Sequence, residues 1–129
     1  IMSNKQTSKD DILESFVKAA NEDDFTLDIS LLVDGAIVTG TLISAKEYFK
    51  TLSKSFKGGN ATSKQFSEDL DEAGDYAAES DNDEINYIHL KDTSIFISEN
   101  KPTPSSGKLI WRGKLSEVNS FFLGKIKSN

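Results

Sequence analysis

The chain has no cysteine, only two prolines, and a single histidine, methionine and tryptophan. Without cysteine it can form no disulfide, thiolate metal site or thiol nucleophile. With His89 as the sole imidazole, a Ser-His-Asp triad has one available base, and no motif identifies its partners. No apolar run approaches the roughly 20 residues a membrane helix needs. The first nine residues are polar and lack the apolar stretch of a signal peptide. These absences together favour a reducing cytoplasm. Ile1 precedes Met2, which is the expected natural start, and residues 1–8 read as a flexible N-terminus.

What remains is a chain of 129 residues, 36% apolar and 28% charged, which suits one domain with a real core. The net charge of −6 conceals a segregation. Between Ser67 and Glu84 lie nine acids and no base, among them Glu68, Asp71, Glu72 and Asp75. From Lys101 onward there are six bases, Lys108, Arg112 and Lys114 among them, and one acid, Glu117. Segregated charge governs association more than fold.

Hydrophobic spacing gives the elements. Ser8 with Asp11 three residues on suggests a helix start, and Ile12, Leu13, Phe16, Val17 and Ala20 follow at helical spacing, with the end at 21–24. Asp34-Gly35 is a two-residue type I′ turn signal between two β-rich runs. It pairs Val33 with Ala36, Leu31 with Val38, Ile29 with Gly40 and Leu27 with Leu42. Every member of that set is apolar or Gly, so turn chemistry and pattern specify one register and one buried face. Ser44 and Glu47 then stand at capping-box spacing, with Tyr48, Phe49, Leu52 and Phe56 on one helical face and Gly58-Gly59 as the stop. A third helix is expected over about 63–78, with a thin stripe of Phe66, Leu70, Ala73 and Ala77, although Gly74 inside it argues against the assignment.

Residues 58–84 thus form a glycine-bounded, acidic helical insertion, ending in a polar linker at 80–84. From Ile85 the period returns to two. Ile88 and Leu90 are expected to turn at Asp92-Thr93 and face Ile95 and Ile97 in a second hairpin, which sets His89 opposite Phe96. Residues 99–107, with both prolines, read as a loop. Residues 108–115 read as a strand with Leu109, Trp111 and Leu115 on one face and Lys108, Arg112 and Lys114 on the other. A last strand covers 121–126. The order favours an α+β fold: an antiparallel sheet, with a partly closed small barrel as the main variant, an N-terminal helix, and two helices inserted after the first hairpin.

No enzyme signature emerges. His89 in a strand is read as a packing residue. The acids of the third helix show no calcium-loop pattern, and Asp71, Asp75 and Glu79 form a solvated face, so neither a metal nor a cofactor is expected. Gly58-Gly59 lacks the Lys-Ser/Thr of a phosphate loop. Lys108, Trp111, Arg112 and Lys114 interleave bases with an aromatic, as single-strand binders do, but the overall acidity disfavours nucleic acid.

Several stretches carry a resemblance: Phe25-Thr26-Leu27-Asp28-Ile29-Ser30-Leu31, Gly35-Ala36-Ile37-Val38, Gly40-Thr41, Ile43-Ser44-Ala45-Lys46-Glu47-Tyr48-Phe49 and Ile88-His89-Leu90-Lys91. The most distinctive are Thr103-Pro104-Ser105, Gly107-Lys108, Trp111-Arg112-Gly113-Lys114, Glu117-Val118 and Phe121-Phe122-Leu123-Gly124-Lys125-Ile126. In these the chain resembles the gas vesicle accessory protein U family of bacilli, least so over residues 57–84. The resemblance implies a non-enzymatic protein associated with gas vesicles, hollow gas-filled protein shells in the cytoplasm, with no catalytic residue to carry over. Its expected partners are the shell or other gas vesicle proteins. Segregated charge adds self-association, with Glu68, Asp71, Glu72 and Asp75 of one molecule against Lys108, Arg112 and Lys114 of another, and Trp111 beside them. The alternatives are an assembly chaperone for the shell protein and a small-barrel binder of single-stranded RNA.

Overall fold

The Asp34-Gly35 turn has positive φ at both residues, 50° and 83°, as a type I′ turn requires. It joins β1 (Leu27–Val33) to β2 (Ala36–Ile43) in the register read from the sequence, Leu27 opposite Leu42 through Val33 opposite Ala36. Around this hairpin the computed structural model describes residues 9–79, 84–97, 103–104 and 107–127. The order is α1 (Asp11–Asp23), β1, β2, α2 (Ala45–Lys54), α3 (Ala61–Glu79), β3 (Tyr87–Phe96), β4 (Leu109–Lys114), a short 3₁₀ turn (Leu115–Glu117) and β5 (Ser120–Leu123). The strands make one antiparallel sheet ordered β4-β3-β2-β1-β5.

One sheet face holds the core. Ile29, Leu31, Val38 and Leu42 of the hairpin join Ile88 and Leu90 of β3, with Trp111 and Phe121 partly buried against them. Leu13, Val17 and Ala20 of α1 close over that face. The cap of α1 is Asp10, whose carboxylate accepts from the backbone N–H of Ile12 and Leu13. This corrects the expected start, because a carboxylate one residue before the first turn reaches two free N–H groups; Ser8 lies outside the described residues. Ile12 points away and is 61% exposed.

The expected second hairpin does not form. β3 is one ten-residue strand running through Asp92 and Thr93. Thr39 pairs with Ser94 and Thr41 with Lys91, so Gly40 alone faces both Asp92 and Thr93. That is a β-bulge, and Asp92 takes the left-handed conformation it demands, φ 50°. Asp favours left-handed backbone in turns and bulges alike, so local chemistry did not separate them. Gly40 does: a Cβ there would lie 2.7 Å from Thr93 Oγ1 and 2.8 Å from Lys91 O. As a further consequence, His89 lies opposite Ile43 and Arg112, not Phe96.

β4 and β5 occupy opposite edges, and residues 115–119 carry the chain between them. Leu115 N donates to Asn86 O on one side, and Asn119 N to Leu32 O on the other. On a flat sheet the register would separate Lys114 from Ser120 by roughly 30 Å. The intervening chain reaches only about 21 Å. The sheet is therefore strongly curled, yet β4 and β5 do not pair, so the barrel variant gives way to an open sheet.

On the second face Thr39 Oγ1 accepts from Ile126 N (3.0 Å) and lies 2.9 Å from Ser30 Oγ, which donates to Gly124 O (2.7 Å). The segment after β5 thus folds back as irregular chain where a strand to 126 was expected, satisfying two buried hydroxyls. α2, with α3 docked on it, covers the other end of this face and sets Tyr48 and Phe49 against His89. Ser44 caps α2 as read, accepting from Glu47 N (3.0 Å). The Glu47 carboxylate turns instead to Lys91 (3.0 Å).

Candidate functional site

α3 docks on α2 by small residues. Ser53 Oγ donates to Ser67 O (2.7 Å), and the two hydroxyls lie 3.0 Å apart. Gly74 faces the Lys50 stem, where a Cβ would come within 3.2 Å of its carbons. Lys50 crosses there to reach Asp75 (2.8 Å) and Asp71 (2.9 Å), which flank Gly74. Their hydrogen bonds, Asp75 first, raise the Lys50 pKa above its ordinary value. The glycine that weighed against a helix is the contact that lets the helix dock. Phe66, expected in the stripe, is 52% exposed and touches Phe56 instead.

Where the helices meet the start of β3, a cleft of about 530 Å³ opens. The last turns of α1 bring Lys18, Asn21 and Glu22, and α2 brings Ala45 and Phe49. The C-terminal half of α3 supplies a wall of Ala73, Tyr76 and Ala77. Tyr87, His89 and Arg112 form the sheet side. Asn21 ties two walls together by accepting from Ala45 N (2.9 Å).

His89 is 3% exposed, its ring 4.8 Å from that of Tyr48 and 5.9 Å from that of Phe49. Its Nε2 accepts from Arg112 Nε at 3.3 Å, which places the neutral ring's proton on Nδ1, a buried donor without a partner among the described residues. Burial, and then the Arg112 charge, lower the His89 pKa to about 3. A ring that stays neutral so far below neutrality is a poor proton acceptor at pH 7. The Arg112 guanidinium lies 3.8 Å above the Tyr87 ring and 5.6 Å from that of Phe49.

The residues singled out from charge are now placed. Glu68, Asp71, Glu72 and Asp75 are exposed on α3, two of them held by Lys50. Lys108 and Lys114 are exposed at the β4 edge, and Arg112 is drawn to His89. Among the described residues no ion pair joins α3 to β4. Trp111 turns its ring over Gly113 and packs against the core. Sequence reasoning missed the grouping of Phe49, Tyr87, His89 and Arg112. The i, i+2 spacing of Tyr87 and His89 put two of them on one face, but only the strand register adds Arg112, and only the packing of α2 on the sheet adds Phe49.

Among the described residues no group of three or more His, Asp or Glu could hold a metal ion. No described helix is long and apolar enough to cross a membrane. The arrangement sets a held guanidinium and aromatic rings in one cleft, with exposed acids on α3. No curated protein and no solved structure matches the chain. A family model described as gas vesicle protein GvpU-like matches residues 10–126, from the α1 cap to the segment folded back beyond β5. The chain belongs to the GvpU-like family of gas vesicle proteins.

Proposed function

We propose that this protein is a non-catalytic gas vesicle accessory protein of the cytoplasm that associates with the vesicles and with itself to influence their assembly or clustering. The observation that carries this reading is charge held apart within one molecule: acids on α3 and bases along β4, joined by no ion pair among the described residues. Glu68 and Glu72, with no ion-pair partner there, are the acids most available to a second molecule. Lys108 and Lys114 are the matching bases, with Arg112 between them. Asp71 and Asp75 take part less, because Lys50 already compensates them. Each exposed pair contributes only about 0–1 kcal/mol, so such association must be multivalent and salt-sensitive.

Purified protein mixed with isolated gas vesicles tests this. Protein should rise with the floated layer at low salt and leave it at high salt. Protein that stays behind under both conditions would remove the shell contact from the proposal.

A second reading, a chaperone for the shell protein, draws support from the open β5 edge, where Phe122 and Leu123 are 43% and 57% exposed. Binding through that edge would persist in high salt. The single-stranded RNA reading loses its stacking platform, since Trp111 lies against the core.

A further inference from the structure

We propose that the cleft between α3 and the start of β3 binds a small organic monoanion, a carboxylate on a flat apolar body, with Arg112 receiving the carboxylate. This site is separate from the exposed charges of α3.

Arg112, although exposed, is held at two points before any ligand arrives. Its Nε is spent on His89, and its planar head lies over Tyr87. Its two terminal amino groups have no partner among the described residues, although Glu22 and Glu84 line the same cleft. A guanidinium fixed on one edge and one face presents its remaining edge as a two-pronged donor, the geometry that matches a planar carboxylate. Because the head is already held, little freedom is lost on binding.

The cleft sets the rest of the ligand. Ala45, Ala73 and Ala77 leave room beside the rings of Phe49 and Tyr87, so one part of the cleft offers apolar surface to a flat body, while Lys18, Asn21, Glu22 and Glu84 line the rest. Its volume lies within the roughly 300–1,000 Å³ of small-molecule sites. The charges lining the cleft, Lys18 and Arg112 against Glu22 and Glu84, balance, which favours a monoanion over a phosphate dianion. The C-terminal turns of α1 and α3 border the cleft and bring the negative ends of two helix dipoles, against one helix start, that of α2. His89 acts as a positioning residue. As a neutral acceptor it fixes the Arg112 head, whereas a protonated ring would lose that bond and set a second cation beside it.

His89 is the only histidine, so its ring protons are an isolated NMR reporter in the untagged chain. The probes are 2-naphthoate and its neutral counterpart 2-naphthamide, titrated at pH 7. Naphthoate should move the His89 ring signals saturably, and naphthamide should bind at least about tenfold more weakly. Arg112→Gln should erase that preference, bringing the two probes to similar affinity. Ala77→Leu, which fills the α3 wall, should weaken both probes. Equal affinity of the two probes for the unaltered protein, or no saturable shift, would overturn the proposal without recourse to any variant. Shifts centred on Phe25 and Leu123 would equally overturn it, by placing the ligand on the opposite edge.

Discussion

Gly40 and His89 show how single residues carry the fold's least forgiving demands. A side chain at Gly40 meets backbone as well as a hydroxyl, and the Lys91 carbonyl cannot swing aside as a flexible side chain would. Gly40→Val should therefore cost about 1–3 kcal/mol, read as a lowered urea midpoint. No such signal was legible in the sequence, where Gly40 reads as one more small residue in a strand; its meaning comes from a partner strand some fifty positions away. His89 makes a pH prediction. Its folded pKa of about 3 lies below its ordinary value of 6.5, so the unfolded chain takes up the proton first. Stability from this source is complete above pH 6.5 and falls as pH drops toward 3, by up to about 1.4 kcal/mol per pH unit. Urea unfolding at pH 7, 5.5 and 4.5 should show the advantage of the parent over His89→Gln shrinking with acidity. An advantage that stays constant would mean that His89 ionises freely in the folded protein.

At the scale of elements, legibility depended on whether two local rules agreed. In the β1–β2 hairpin, turn chemistry and alternation named the same partners, and the register followed to the residue. At Asp92-Thr93 only one rule was available, and it described a bulge as well as a turn. α3 was legible as a helix but not in its docking edge, because Ser67 and Gly74 carry no hydrophobic signal and bury themselves by closeness. Ser67 is 7% exposed against α2, and a Leu there has no space to occupy. Ser67→Leu should destabilise the protein by about 1–3 kcal/mol and raise amide exchange in α2 and α3 ahead of the hairpin strands. Uniform acceleration across the sheet would show that the helix pair is no separate unit of stability.

For the whole molecule, the acid and base blocks were legible from composition alone, while the cleft was not, since it gathers residues from five elements. Lys108→Glu with Lys114→Glu leaves the core and the cleft in place and should abolish salt-sensitive self-association, measured by sedimentation at low and high salt. Unchanged sedimentation would remove this surface from the proposal. The curled sheet carries a different implication, one of timing. β1 finds one neighbour across a two-residue turn, but the other arrives from far along the chain: the Ser30 bond to Gly124 spans 94 positions. Until β5 has been translated and folded back, β1, whose Ile29 and Leu31 belong to the finished core, has an uncovered flank. The newborn chain is therefore stickiest in the interval before β5 settles, and a translation pause between β4 and β5 would prolong it.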